Sequence, residues 1–512
     1  MTDGPSEPPV PPTTSRSFPP LDRQTLLVIL GFVVLLGTHL RFHALDLQSL
    51  WLDELASVEV ASHGSLGAVA TEALRHDVHP PLYFLLLHVA MQAFGDSEFA
   101  LRALSAAAGA LAIPLIFLLG RKLYDNETGL VAAMLTAVLW FPVYYSQEAR
   151  PYSLLMLLTL ASVYGWVVVM EGLTRDGRVR LGPAALYAAA ALACAYTHYF
   201  GVLLVAIEGA AAAAWLAARR PRALGRLAAI FGVIALGYAP WFSDALRTAR
   251  SSAGWIPMPN ARLLVACFRW FFNRSTVVVA CALALYAWLL VRDLRDAFAP
   301  GAPKDGKGAS SAFKDLVLAL WLTVPFAAAT AISLVRTPIV WPRFFVICAP
   351  AAYLLAARGI VRLPLRGNAR AVTTGALGAL LLMHLFVFER YYADPHKEQF
   401  REAVGLVASN DKAYPDSLII ASGAAPQFFD IYFERLGSSR RVDVPTVTPA
   451  QVADVPRRVA ERKARYVWLL YAHKAPDPAL LEYLQRNFTA REAKPLYQAG
   501  VLLLENRPPP GR

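Results

Sequence analysis

The chain has 512 residues, of which 56% are hydrophobic and only 17% are charged. This composition is too apolar for a soluble protein of that length, so it predicts a polytopic membrane protein. The formal net charge of +12 does not indicate a nucleic-acid partner, because most of the basic residues lie in short runs between apolar segments and orient the chain in the membrane. The four cysteines have no CxxC spacing and predict neither a disulfide nor a zinc site.

The N-terminal part of the chain predicts a tail, an anchor and a polar loop. Residues 1–20 are rich in proline, serine and threonine and are expected to be disordered. Residues 25–45 are apolar and long enough to be an uncleaved membrane anchor. The loop 46–98 that follows carries the acidic pair Asp53 and Glu54. Because ionisable groups at a membrane boundary are costly to desolvate, this acidic loop favours chemistry on a membrane-dissolved substrate.

Eleven membrane spans are predicted. Residues 83–94, within the acidic loop, are apolar but too short to cross a bilayer, and they predict a helix in the interface. With eleven spans the basic turns fall on the inner side, the N-terminus lies inside and the C-terminus lies outside. After the anchor, the spans are predicted at 99–119, 129–144, 152–170, 183–199, 201–218, 227–241, 277–291, 316–335, 344–357 and 371–388.

The composition changes near residue 391, after the membrane domain of residues 21–390. Residues 391–512 are predicted to form a small soluble α/β domain on the outer side, because short apolar strand candidates alternate with helical stretches. The strand candidates are residues 418–421, 466–471 and 501–505. The domain has no glycine-rich phosphate loop, so no nucleotide is assigned to it.

The candidate site residues lie at the outer ends of the predicted spans. Asp53 and Glu54 are either a catalytic pair or an acidic helix start that complements the helix dipole. His79 precedes two prolines, and it either contacts a lipid phosphate or belongs only to a rigid turn. Glu148 and Arg150 either take part in the site beside Asp53 or form a surface ion pair that caps the next helix.

Histidine and arginine side chains complete the candidate set. His198 lies in an outer turn, where a structural histidine is the alternative to a ligand. Arg343 and five other arginines lie on the outer side, against the usual bias. They contact phospholipid headgroups or bind a phosphate-bearing substrate, since guanidinium groups bind phosphate bidentately. The other five are Arg247, Arg250, Arg262, Arg269 and Arg274.

Several stretches of the chain together resemble the GT-C membrane glycosyltransferases. They are WLDE at 51–54, HPPLYFLLLHVAMQAFG at 79–95, YYSQEARPYSLL at 144–155, THYF at 197–200 and PRFF at 342–345. The resemblance is to the family-39-like group, which includes protein mannosyltransferases, aminoarabinose transferases and Rgt-type lipopolysaccharide sugar transferases. It implies an α-helical polytopic fold of the GT-C type, with about eleven transmembrane helices, interfacial helices in the first outer loop and a small C-terminal α/β domain.

The resemblance also implies roles for individual residues. Asp53 matches the catalytic base of the family, with Glu54 beside it, and Glu148 matches the acid of the second outer loop. Arg343 matches the outer arginine before a late span, and His79 stands where some members use lysine on the lipid phosphate. The substrate-binding candidates are His79, Tyr83, Arg150, Tyr152, His198 and Arg343. Some members use a divalent metal, and the sequence shows no complete ligand set for one.

The function expected from these features is transfer of a sugar from a polyprenyl-phosphate donor to a lipid, glycan or protein acceptor. The reaction is expected at the outer face of the cytoplasmic membrane, with inversion and with an aspartate base. Because a phosphate leaving group is a weak base, its departure needs cations rather than a second, protonated carboxyl group. The alternative is a flippase or transporter of lipid-linked sugars, which would place ionisable groups near the bilayer midplane.

Overall fold

The computed structural model describes residues 22–248, 254–298, 307–365 and 368–507. The tail predicted at 1–20 lies outside these ranges, and so does Arg250. Within them, a large helical part is followed by a smaller part that contains a β-sheet.

The helical part contains sixteen α-helices in the described residues. They are α1 (Arg23–Phe42), α2 (Leu52–Ala61), α3 (Leu66–His76), α4 (Leu82–Phe94), α5 (Glu98–Leu123), α6 (Asn126–Val138), α7 (Trp140–Ser146), α8 (Tyr152–Arg175), α9 (Leu181–Thr197), α10 (Tyr199–Arg219), α11 (Leu224–Thr248), α12 (Ala261–Phe271), α13 (Thr276–Phe298), α14 (Lys307–Val335), α15 (Ala349–Arg362) and α16 (Ala369–Met383). Two short 3-10 helices, Pro221–Ala223 and Pro342–Cys348, precede α11 and α15, and a π-helical turn, His384–Phe388, extends α16.

Helices correspond to all of the predicted spans. In the described residues, eight helical segments are long and apolar enough to cross a membrane, or ten if the bent pairs α6–α7 and α12–α13 are each one span. The remaining predicted span corresponds to α9, which is apolar but only 17 residues long. The chain is therefore a multi-pass membrane protein. Its orientation in the membrane stays a prediction.

Side-chain caps and small residues define the packing of α5 and α6. Ser97 accepts a hydrogen bond from the Ala100 N–H at the start of α5, and Asp125 does the same for Thr128 in α6. The two helices pack closely at a pair of glycines, because a Cβ atom on Gly120 would lie 2.8 Å from the Gly129 Cα. At the other end of α5, the acidic loop lies next to the loop that follows α7, where the Ala149 N–H donates to Glu54 at 2.8 Å.

The C-terminal part is an α/β unit with a mixed sheet. Its strands are β1 (Leu418–Gly423), β2 (Val444–Thr446), β3 (Tyr466–Ala472), β4 (Phe488–Leu496) and β5 (Ala499–Asn506), and its helices are α17 (Phe400–Ser409), α18 (Phe428–Arg435), α19 (Pro449–Arg462) and α20 (Pro478–Asn487). The strand order is β2-β1-β3-β5-β4. The first three strands are parallel, whereas β5 is antiparallel to both β3 and β4.

The three predicted strands are present as β1, β3 and β5, and two strands were missed. The missed strand β2 has only three residues and contains proline. The other, β4, is a largely exposed edge strand with charged residues and a proline, which is how natural sheets protect an edge but is not the pattern of a buried strand.

The acidic loop and the C-terminal unit share one hydrophobic core. Leu55 of α2 and Tyr83 of α4 belong to the same buried cluster as Phe400, Trp468 and Val501 of the C-terminal unit. All five side chains are essentially inaccessible to solvent. The sheet is thus packed against the loop that carries Asp53, although the division of the chain at residue 390 stays a prediction.

Candidate active site

The site centres on an ion pair between the predicted base and the predicted phosphate-binding arginine. Asp53 lies in the first turn of α2, and Arg343 lies in the 3-10 helix Pro342–Cys348. The Arg343 Nη1 atom is 2.7 Å from the Asp53 Oδ2 atom. The Asp53 side chain remains 21% exposed, so a substrate can reach its carboxylate.

Aromatic rings surround the Arg343 guanidinium. Its central carbon lies 5.2 Å from the ring centroid of Trp255, 5.8 Å from those of Tyr152 and Phe344, and 5.9 Å from that of Trp51. These cation–π contacts hold the charge in place without consuming its hydrogen-bond donors. Among the described residues, the buried Tyr152 hydroxyl has no hydrogen-bond partner, so it can donate to a bound substrate.

Glu54 is held in a closed network of donors. Arg102 donates to both of its carboxylate oxygens, at 2.8 and 2.7 Å. Lys397 and the Ala149 N–H donate to the Oε1 atom at 3.1 and 2.8 Å. Burial acts to raise the pKa of Glu54, but the charges of Arg102 and Lys397 outweigh it and lower the pKa to about 2. Glu54 is therefore ionised at neutral pH, with little capacity left for a substrate.

In the described part of the chain, Glu148, unlike Glu54, is not enclosed by hydrogen-bond donors. Its carboxyl group is buried, and neither oxygen has a hydrogen bond of ordinary geometry among the described residues. Burial raises the pKa of Glu148 to about 7, against the opposing effect of the Lys397 charge. Asp53 and Arg343 lie within electrostatic range of it. Glu148 is thus an unused carboxyl group beside the central ion pair.

A second network ties Arg150 to the acidic loop. Its Nη1 atom donates to the Asp53 carbonyl at 3.1 Å, to Ser57 Oγ at 2.9 Å and to Asp77 Oδ2 at 3.2 Å. Its Nη2 atom lies 3.1 Å from the Nδ1 atom of His79 but donates no hydrogen bond to it, because that nitrogen carries the proton that faces Asp77. Arg150 is buried, and its contacts fix the backbone of Asp53 rather than present a free cation.

His79 and His198 face each other across the site, with ring centroids 4.9 Å apart. The Nδ1 atom of His79 is 2.5 Å from Asp77 Oδ1, which assigns its proton to Nδ1 and leaves a lone pair on Nε2. In His198, Nδ1 accepts the Phe200 N–H at 3.1 Å, so the proton lies on Nε2. Neither Nε2 atom has a partner among the described residues. The pair therefore offers one acceptor and one donor.

The protonation of these histidines follows from their burial. Burial lowers the pKa of His79, and the effect outweighs the neighbouring Asp77 carboxylate. Burial likewise lowers the pKa of His198 well below its usual value. Both rings are neutral at neutral pH, so His79 does not supply the permanent charge of a phosphate-binding lysine.

The remaining candidates lie away from the ion pair. The hydroxyl of Tyr83 is 3.0 Å from Ser105 Oγ, in the core behind the site. Arg247 pairs with Asp244, and Arg274 pairs with Glu389. In the part of the chain that the structure describes, Arg343 is the member of the predicted arginine set that contacts Asp53.

The chain is similar to one known protein family and to several known structures. Residues 78–246 match the family model of dolichyl-phosphate-mannose-protein mannosyltransferases, a range that contains His79, Glu148 and His198. No curated protein sequence matches the chain. The structure is similar to that of ArnT from Cupriavidus metallidurans in the apo state, with a TM-score of 0.58 and 12% identity over 94% of this chain and 98% of that one.

The chain has the fold of the GT-C membrane glycosyltransferases, and a third of it matches the mannosyltransferase family model.

The recognition from sequence and the predicted fold class are thereby confirmed. The enzyme is also similar to ArnT bound to undecaprenyl phosphate, with a TM-score of 0.55 and 12% identity over 93% of this chain and 98% of that one. The apo oligosaccharyltransferase of Archaeoglobus fulgidus gives a TM-score of 0.54 and 13% identity over 87% of this chain and 70% of that one. Identities this low establish a shared fold and leave the substrates of the enzyme open.

The described residues around the ion pair do not fit a metal ion. Among the described residues, no group of three or more histidine, cysteine, aspartate or glutamate side chains is placed to hold one. Asp53 is contacted by Arg343, and Glu54 by Arg102 and Lys397, so cationic side chains already occupy both acids. We derive no step through a metal.

Three further residues build the site and were not predicted to belong to it. Arg102 is a buried arginine within the first membrane-length helix after the acidic loop, and that isolated charge was the available signal. Lys397 donates to Glu54 at 3.1 Å, and Glu398 accepts the Leu52 N–H at 2.8 Å. Two adjacent residues at the start of the C-terminal unit thus hold the residues on either side of Asp53.

Proposed function

We propose that the enzyme transfers one sugar from a polyprenyl-phosphate donor to a hydroxyl group of a lipid, glycan or protein acceptor. The reaction takes place at the outer face of the cytoplasmic membrane, with inversion at the anomeric carbon. The observation that carries the proposal is the contact between Asp53 and Arg343, because it puts a reachable carboxylate next to a permanent, aromatic-caged cation.

Each member of this pair serves one half of the reaction. Asp53 accepts the proton of the acceptor hydroxyl while the hydroxyl oxygen forms its bond to the anomeric carbon. The bond between that carbon and the phosphate oxygen breaks, and the electron pair leaves with the lipid phosphate. Arg343 stabilises the charge on the departing phosphate. Attack from the face opposite the leaving group inverts the anomeric centre.

The ion pair also links donor binding to activation of the base. Without a donor, Arg343 neutralises Asp53 at 2.7 Å. A donor phosphate competes for the same guanidinium, and its binding leaves Asp53 free to accept a proton. The base then becomes available only when a sugar is present to be transferred.

The unpartnered buried groups around the pair suit a sugar. The Tyr152 hydroxyl and the His198 Nε2 atom are available donors, and the His79 Nε2 atom is an available acceptor. We assign them to hydroxyl groups of the donor sugar, because hydroxyls can satisfy both donors and acceptors. Glu148 is assigned to a substrate hydroxyl as well, and Glu54 to positioning of Asp53.

An apolar groove that one ring contact joins to the segment of Arg343 supports a lipid carrier. It runs between α12 and α14 and is lined by Leu264, Phe268, Phe326 and Leu334, among others. Phe326 stacks on Phe345, with ring centroids 3.8 Å apart, and Phe345 follows Arg343 by two positions. A polyprenyl chain lying in this groove would bring its phosphate to the guanidinium.

The test compares a deletion strain with its parent. Lipid-linked sugars and envelope glycans are extracted from both strains and analysed by mass spectrometry. We expect one polyprenyl-phosphate sugar to accumulate in the deletion strain and one sugar decoration to disappear. Reintroducing the parental gene restores both, and a gene encoding Asp53→Asn restores neither. Identical lipid and glycan profiles in the two strains would contradict the proposal.

A further inference from the structure

In the sheet of the C-terminal unit, the order in which the chain adds strands reverses at β1. From β1 the chain crosses to β2 on one side, and it then returns past β1 to reach β3 on the other side. The connecting helices accordingly cover opposite faces, since α18 packs with Ile419 and Leu470 whereas α19 packs with Ile420 and Leu469. In open α/β sheets, the carboxyl ends of the strands at such a reversal form a crevice where ligands bind.

The two strands that flank this crevice are held closely together. Gly423 ends β1 with a φ of 129°, and a Cβ atom there would lie 2.3 Å from the Ala472 carbonyl oxygen at the end of β3. Only glycine fits that approach. His473 follows in the left-handed region with a φ of 66°, which turns its exposed side chain away from the line of the strand.

The carboxylate of Glu398 connects the crevice to the acidic loop that carries Asp53. The His473 Nδ1 atom is 2.5 Å from Glu398 Oε1, and the other oxygen of Glu398 accepts the Leu52 N–H at 2.8 Å. Leu52 directly precedes Asp53. His473 also lies within electrostatic range of Asp53, so the crevice lies near the proposed base.

We propose that this crevice binds the sugar headgroup of the acceptor and directs its hydroxyl group to Asp53. The inference rests on the proposed function and adds to it the place and the chemical class of the acceptor. Gln427 and Lys474, in the loops that leave β1 and β3, are exposed and supply polar contacts. None of the exposed large hydrophobic side chains among the described residues lies in these two loops, so the crevice matches a saccharide better than an acyl chain or an apolar peptide.

The test separates acceptor binding from donor use. The donor is the lipid-linked sugar fraction of a deletion strain, and the acceptor is the glycan-containing envelope fraction of the same strain. Purified full-length protein is assayed for transfer to the acceptor and, without acceptor, for release of free sugar to water. The variants are Lys474→Glu and Gln427→Ala. Matched controls are Lys494→Glu on the edge strand β4 and Gln485→Ala on α20, both at exposed positions of the same unit.

We expect the two crevice variants to raise the apparent KM for the acceptor about tenfold, the effect of losing roughly one hydrogen bond to a polar ligand. Their KM for the donor and their release of free sugar stay at the parental level, and both controls behave as the parent. An unchanged acceptor KM, or an equal rise in the controls, overturns the crevice proposal while sugar release still supports the proposed function. No transfer and no release by the parental protein would contradict the proposed function itself.

Discussion

Arg343 and Asp53 form an ion pair with 2.7 Å between Nη1 and Oδ2, although one belongs to a late span and the other to the first loop of the chain. In the proposed function, this contact joins the proton acceptor and the phosphate-binding cation of an inverting sugar transfer. Because the two charges face each other, a substitution of either residue also changes the environment of the other.

The first prediction concerns the guanidinium. Arg343→Lys retains a charge but loses the planar fork, and Arg343→Ala loses both. We expect the apparent KM for the lipid donor to rise about tenfold or more in the lysine variant and further in the alanine variant, with a smaller effect on the acceptor KM. Arg222→Lys, an exposed arginine in the turn before α11, is the matched control. Donor affinity that is unchanged in Arg343→Ala would remove Arg343 from the phosphate site.

The second prediction concerns the network around Glu54. Arg102→Met leaves a buried carboxylate without its bidentate partner, which typically costs about 3 to 5 kcal/mol. We expect a marked loss of thermal stability in detergent, measured by size-exclusion chromatography after heating. Arg121→Met, an exposed arginine in the same helix, should leave the melting temperature unchanged. Adding Glu54→Gln to Arg102→Met should recover part of the loss, and equal losses in the Arg102 and Arg121 variants would contradict the buried network.

The third prediction concerns Glu148, whose pKa is raised by burial from 4.5 to about 7. The folded protein therefore binds this proton more tightly than the unfolded chain does, and the associated stability is present below pH 4.5 and is lost as pH rises to about 7. Glu148→Gln keeps a neutral side chain at every pH. The melting temperature of Glu148→Gln minus that of the parent should therefore be larger at pH 8 than at pH 5. A difference that does not depend on pH would show that Glu148 does not titrate there.

The fourth prediction concerns orientation in the membrane. The C-terminal unit should lie on the same outer side as the acidic loop, because the basic turns alternate correctly with eleven spans. In a background without the exposed Cys281, Ser439→Cys should react with an impermeant maleimide in intact spheroplasts. Arg222→Cys, in the turn before α11, should react only after permeabilisation. The reverse pattern would show that the span count is wrong.

Local patterns in the sequence were sufficient for the predicted spans, but not for α12 or for the bend between α6 and α7. Apolar length and basic turns indicated the helices, and the proline pair before Leu82 correctly marked the start of α4. The strands β2 and β4 carried no apolar alternation and could not be recognised. Sequence reasoning also indicated Asp53 and Arg343 separately, as polar residues outside predicted spans.

The pairing of the site residues could not be read from the sequence. Contacts between distant segments decide which acid remains free, and Glu54 differs from its neighbour Asp53 only because Arg102 and Lys397 reach it. The same holds for Glu148, which is buried beside Tyr144 although it lies in a polar stretch of sequence.

The most direct test of the account is the turnover of Asp53→Asn. The change is nearly isosteric and removes the proton acceptor, so turnover should fall by about 10²- to 10⁴-fold, the usual contribution of a general base. Because the variant also releases Arg343 from its ion pair, binding of the lipid donor should stay at the parental level or become tighter. Near-normal turnover in Asp53→Asn, with protein present at parental amounts, would show that Asp53 is not the base.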